Sequence, residues 1–256
     1  MKKITIYILL FFTILNNAIS SGGTAGDEAK YESRYIVDMP TAGMLPKGSF
    51  SLFGIAYSYG GIMAEIFACP FKDFLIGVSF GGTGIVGESD VVFQELPAVH
   101  LRYRIINEKQ SFPAILIGIN TQGRGLYSKS REQFEIFSPG IYLSLSKNYK
   151  WLAGNIAFHG GMNYSFEAKP ETRYPNFYFG LEQSIGSSLS LNFEFNASIN
   201  EYKEDLVENV GFLNTSLRWS VAEGMTIEFQ LRDLLSSRKE YSTPSRYIGL
   251  EYINNF

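Results

Sequence analysis

Residues 189–200 alternate without a fault. Leu189, Leu191, Phe193, Phe195, Ala197 and Ile199 fall on one parity, and Ser190, Asn192, Glu194, Asn196, Ser198 and Asn200 on the other. A strand sends successive side chains to opposite faces, so this stretch has one apolar and one polar face; a helix would mix the two sets. Residues 225–232 repeat the pattern, with Met225, Ile227, Phe229 and Leu231 set against Thr226, Glu228, Gln230 and Arg232. So do Val99, Leu101, Tyr103 and Ile105 against His100, Arg102 and Arg104, and Phe74, Ile76, Val78 and Phe80 against Leu75, Gly77 and Ser79.

Read this way, the chain carries twelve candidate strands: 49–59, 62–69, 73–81, 97–106, 113–120, 136–146, 151–160, 176–185, 189–200, 209–221, 225–232 and 246–256. A sandwich and a membrane barrel both bury one face of each strand, so parity does not separate them. The connections do. After even-numbered strands they are short (70–72, 107–112, 147–150, 186–188, 222–224), and after odd-numbered strands beyond the first they are mostly long (82–96, 121–135, 161–175, 201–208, 233–245). Tight turns on one side and long loops on the other are the signature of an up-and-down antiparallel transmembrane β-barrel with both termini in the periplasm. The fold expected is therefore all-β, a barrel of about twelve strands over 48–256. It falls to ten if the first hairpin, near Gly60 and Gly61, or the weakly alternating stretch 62–69 fails.

The ends of the chain point the same way. Lys2 and Lys3, the apolar run 4–15 and the small residues Ala18 and Ser20 read as a signal peptide over 1–20, too short in its apolar part to span a bilayer comfortably. Without the two lysines the formal charge moves from -3 to about -5, which argues against a nucleic-acid surface. The single cysteine, Cys69, excludes an internal disulfide. Phe and Tyr, 21 and 16 residues, favour strands. Residues 21–47 do not read as a membrane strand: Pro40 and Pro46 exclude a regular central strand, yet 35–48 is too apolar for a solvated linker. The segment is expected inside the barrel mouth or against its periplasmic rim.

At the other end, Ile248, Leu250, Tyr252 and Phe256 share one parity, and the sequence stops at the aromatic residue. This ending resembles the closing strand of bacterial outer-membrane β-barrels. The resemblance implies that these four residues form a signal read by the outer-membrane assembly machinery, although Asn254 stands where that family usually has an aromatic or apolar residue. Two shorter patches, 38–42 with 45–48 and 113–118 with 123–128, resemble the YjbH-like barrels associated with exopolysaccharide export.

No catalytic constellation stands out among the two histidines: His159 is followed by Gly160 and Gly161, and His100 by Leu101 and Arg102, so neither has a serine two positions on along one face. Metal sites of the Cys/His kind are excluded by count. No cofactor and no enzymatic activity are expected. The polar parity gathers Arg102, Arg104, Arg218 and Arg232 with Glu182, Glu194, Glu228 and Glu251, a balanced set that either pairs and closes the lumen or faces itself across a water-filled pore. Arg124, Lys129 and Arg131 read as a basic external loop, either simply solvated or attracting an anionic sugar or lipopolysaccharide phosphates. Two functions follow. One is a narrow pore or export channel for small polar solutes or polysaccharide; the other is a closed barrel acting through its external loops. In either case the partners are outer-membrane lipid and lipopolysaccharide, with no nucleic acid.

Overall fold

The structure, a computed structural model, describes residues 31–129, 132–152, 154–167, 174–199, 211–237 and 244–256. The signal-peptide reading of 1–20 and the loop residue Arg131 lie outside these residues. The strands are β1 (Ser49–Tyr57), β2 (Gly61–Phe71), β3 (Phe74–Thr83), β4 (Val92–Phe93), β5 (Ala98–Ile106), β6 (Ala114–Asn120), β7 (Arg124–Ser128), β8 (Gln133–Ile136), β9 (Gly140–Trp151), β10 (Gly154–Tyr164), β11 (Asn176–Ile185), β12 (Leu189–Asn196), β13 (Phe212–Ala222), β14 (Met225–Arg232) and β15 (Ser245–Asn255). Twelve of them, all but β4, β7 and β8, pair antiparallel in a ring, which β1 closes against β15 with Ser49 opposite Asn255 and Ala56 opposite Ile248. Closure leaves no free edge. The barrel therefore has twelve strands, not ten. Strand β4 extends the outer end of β3, and β7 and β8 form a separate hairpin in the long connection between β6 and β9.

The doubtful first hairpin is present. Tyr59 and Gly60 both have positive φ, 63° and 60°, the conformation that suits a two-residue turn between twisted strands. The missing loop is supplied by the next one: Gly84 and Val86 donate their amides to the Tyr59 and Gly60 carbonyls. One turn lies elsewhere than its composition indicates. The polar run 147–150 reads as a turn, yet it is paired strand, with Asn148 opposite Ala157. Its polar side chains are held at the barrel end, where Glu108 accepts from Lys147 Nζ (3.1 Å) and from the Asn148 amide (2.9 Å).

The sheet is inside out relative to a soluble protein. Large apolar side chains face outward on every long strand, among them Ile76, Val78, Leu101, Phe193, Leu217, Phe229 and Leu250, and each is more than a third exposed. Their partners on the other parity, including Ser79, Arg102, Asn192, Glu194, Arg218 and Gln230, are buried in the lumen. So much contiguous apolar surface is untenable in water and suits the hydrocarbon of a bilayer.

The lumen is not empty. Residues 31–48 enter it from the end of the barrel that holds the short turns, where the Gly48 amide donates to Cys69 O and the Phe256 amide donates to Gly48 O. Inside, they form a tight hairpin. Tyr35 pairs with Pro40, the Ile36 amide donates to Met39 O, and the Thr41 amide donates to Arg34 O. The base of the returning arm, Ala42, Met44 and Leu45, packs on Phe67, Cys69, Leu75, Leu116 and Tyr142 of the wall. Full burial of a Leu- or Met-sized side chain is worth about 1.5–3 kcal/mol, so apolar packing anchors this end.

Candidate functional site

The hairpin is held by the wall charges, and mainly through its backbone. Arg102, on β5, spans both arms: it donates to Arg34 O (2.9 Å) on one arm and to Thr41 O (2.6 Å) and Gly43 O (3.2 Å) on the other. Arg218, on β13, donates to Tyr35 O and Ile36 O, both at 2.6 Å. Glu194, on β12, accepts the amides of Val37 (2.9 Å), Asp38 (2.8 Å) and Met39 (2.8 Å) on one carboxylate oxygen, while Asn214 donates to the other (2.8 Å). The tight turn at 36–39 leaves the amides of Val37, Asp38 and Met39 without main-chain partners, and buried main-chain groups need partners. The wall supplies them.

The remaining charges pair side chain to side chain. Arg104 binds Glu32, which also accepts the Met44 amide at 2.8 Å. Arg34 binds Glu251 and donates to Ser51 Oγ at 3.0 Å. Glu228 lies 3.2 Å from Arg218 Nε, and Glu182 lies 3.8 Å from Arg218 Nη1. Arg232 Nη2 lies 2.6 Å from Asp38 at the hairpin tip. All eight of these wall charges face the interior; six engage the hairpin directly, Arg102, Arg104, Arg218, Glu194, Arg232 and Glu251, and the other two, Glu182 and Glu228, flank Arg218.

Arg124 departs from its expected place. It does not face outward on a basic loop. At the start of β7 its side chain turns into the barrel, 8% exposed, with Nη1 2.7 Å from Glu65 and Nε 3.9 Å from Asp38. Composition made the loop look solvated; the buried carboxylates of Glu65 on β2 and Asp38 at the hairpin tip draw the guanidinium inward. Lys129, at the turn between β7 and β8, is exposed. The β7–β8 hairpin is fastened to the next long connection by Glu167, whose carboxylate accepts the amides of Phe134 and Ser138, both at 2.8 Å. Burial pushes this carboxyl up from its ordinary range.

Two serine–histidine contacts escape a sequence search because their partners lie on different strands. Ser146 Oγ is 2.8 Å from His159 Nδ1 and accepts the Ala42 amide at 2.9 Å. Ser79 Oγ is 2.8 Å from His100 Nε2 and donates to Gln122 at 2.6 Å. Both serines are buried, and Ser146 is tied to the hairpin itself. Among the described residues no group of three or more His, Cys, Asp or Glu side chains is placed to hold a metal ion.

At the C-terminus, Ile248, Leu250 and Phe256 are exposed on the outer face of β15, and Tyr252 is half-buried beside Phe50. Along the lumen a cavity of about 60 Å³ remains between the hairpin and the wall, with Glu65, Arg218, Glu228 and Glu251 in its lining.

No family model matches the sequence, and no curated protein matches it. Among solved structures, the chain is similar to the KdgM porin, at 8% identity and a TM-score of 0.46 over 80% of this chain and 98% of the other. It is also similar to the NanC porin, at 9% identity and a TM-score of 0.42 over 81% of this chain and 99% of the other.

Proposed function

We propose that this chain stands in a bacterial outer membrane as a narrow channel for small polar solutes, with its lumen occupied by its own hairpin of residues 31–48. The observation that carries the reading is the reversal of polarity across the wall, apolar outside and charged inside, around a lumen that keeps a cavity with charged side chains in its lining beside the hairpin. A barrel of twelve strands is intermediate between side-chain-filled barrels and open porins, so its conductance is set by what fills it. Polysaccharide is a longer substrate and needs the hairpin to leave. The buried serine–histidine pairs are read as ties that seat the hairpin and its surroundings, and no enzymatic role is assigned to them.

The rival reading, a closed barrel that acts through its loops, draws on the same filled lumen and on the clasped β7–β8 hairpin above it. In both readings the outward belt contacts lipid, exposed Lys129 is available to lipopolysaccharide phosphates, and the closing strand is presented to the assembly machinery. Conductance of the refolded protein in a planar bilayer separates them. Stable unitary currents from the intact chain support the channel, whereas currents only from a chain lacking 31–45 show a lumen that the docked hairpin closes. Silence from both, with insertion verified, supports the closed barrel. Exchange of 121–135 is a poor discriminator, because Arg124 reaches the lumen.

A further inference from the structure

Two cavities lie along one flank of the hairpin. The inner one, about 60 Å³, runs from Gly224 at the β13–β14 turn up to Arg124 and also touches Val37 and Gln230. The outer one, about 20 Å³, is lined by Asp38, Asn196, Asn214, Arg232 and Tyr247. A single layer separates them. Val37 precedes Asp38 in the chain, Arg232 donates to Gln230 at 2.6 Å, and Asp38 stands between Arg232 (2.6 Å) and Arg124 (3.9 Å).

Charged and amide side chains share the lining of both cavities with apolar surface. In the inner one, Arg34 Nε and Nη1, Glu65 Oε2, Arg218 Nη1 and Glu228 Oε1 are buried and have no hydrogen-bond partner among the described residues. At the dividing layer Asp38 Oδ1 and Arg232 Nε and Nη1 are in the same condition: the ion pair is close, but it lacks hydrogen-bond alignment. Buried groups of this kind are costly unless water or a polar solute meets them. Cavities that stay dry are apolar throughout, whereas these carry charged side chains in their lining.

We infer that this flank is the solute path, and that Asp38 with Arg124 and Arg232 is its gate and charge filter, so that small ions and solutes pass beside a docked hairpin. The inference rests on the channel reading and adds the route and the residues that set selectivity. With Glu65 holding Arg124 at 2.7 Å, two carboxylates balance two guanidinium groups at this layer, so loss of any one charge tips it, and rings of charge at a constriction set which ions pass.

The test is single-channel conductance and reversal potential in a potassium chloride gradient. The samples are the intact chain, Asp38→Asn, Arg232→Gln and a chain lacking 31–45, with amide exchange at 37–39 reporting whether the hairpin is docked. Asp38→Asn breaks the pair and leaves the Arg232 guanidinium uncompensated, so conductance is expected to rise by about threefold or more and selectivity to move toward anions. Arg232→Gln is expected to open the layer and move selectivity toward cations. Both variants should keep 37–39 protected, because Glu194 holds those residues through their backbone. The inference is overturned if both variants match the intact chain while the chain lacking 31–45 conducts, and equally if both open only by releasing the hairpin. If the shortened chain is silent too, the channel reading itself fails and the gate falls with it.

Discussion

Glu194 Oε2 accepts the Val37 amide hydrogen at 2.9 Å, and the same oxygen accepts the next two amides of the chain. Three successive amides converging on one carboxylate make an anion nest, with the nest on the hairpin and the anion on the wall. Hydrogen bonds to a charged acceptor are worth about 1.5–3 kcal/mol each, so this contact outweighs the apolar packing of Ile36 and Met39 on Tyr178 at the same end.

Glu194→Ala should therefore strand three buried amides and loosen the tip by about 3 kcal/mol or more. Amide exchange at 37–39 is expected to quicken by two orders of magnitude or so, while the barrel strands stay protected. Glu194→Gln keeps an acceptor and loses the charge, so its effect should fall between. Equal protection at 37–39 in all three proteins would show that the nest does not hold the tip.

Gly43 lets the two arms of the hairpin approach. A β-carbon there would overlap the Ser33 carbonyl oxygen, which is backbone and has little room to move. Gly43→Ala should push the arms apart and cost the docked hairpin, seen as new protease cleavage within 31–42. Gly54, where a β-carbon meets nothing within 4 Å, is the control: Gly54→Ala should leave the cleavage pattern unchanged.

The strands were legible wherever the two environments differ, lipid on one side and polar lumen on the other, as in β12, where Asn192 and Glu194 are fully buried and Phe193 and Phe195 exposed. β2 was obscure for a physical reason. Its inward face carries Met63, Phe67 and Cys69, and two of these form the apolar seat of the hairpin base, so both of its faces read as apolar. The inward direction of the wall charges followed from parity, but their partners did not. Arg102 and Arg218 bind main-chain carbonyls, which every sequence has, and no residue pattern announces them. Arg124 was misread because its loop is polar, while Glu65 and Asp38 lie 59 and 86 positions earlier in the chain. The apolar, proline-bearing character of 35–48 was the one available hint that something other than solvent surrounds that segment.

The outward belt makes a depth-dependent prediction. Leu250, near the middle of β15, faces outward between Gly54 of β1 and Ile227 of β14, and is 49% exposed. At mid-strand Leu250 is expected near the bilayer midplane, so Leu250→Arg should destabilise the barrel in lipid by about 2–4 kcal/mol. Urea unfolding in phospholipid vesicles reads the difference. The same substitution at Val86, on the loop beyond β3, should cost little. A Leu250→Arg protein as stable in vesicles as the parent would mean that this face does not meet hydrocarbon.

The last residue separates assembly from stability. Phe256 is 72% exposed, and its backbone amide, not its ring, closes the seam by donating to Gly48 O at 2.8 Å. Phe256→Ser keeps that bond, so the refolded variant should match the parent within about 0.5 kcal/mol, as surface substitutions usually do. In cells the outcome should differ. If the outward side chains of the closing strand are read during insertion, the amount of folded protein in the outer-membrane fraction should fall severalfold, with no change in the stability of what does insert. A drop in cellular yield matched by an equal loss of refolded stability would place the role of Phe256 in the barrel seam instead.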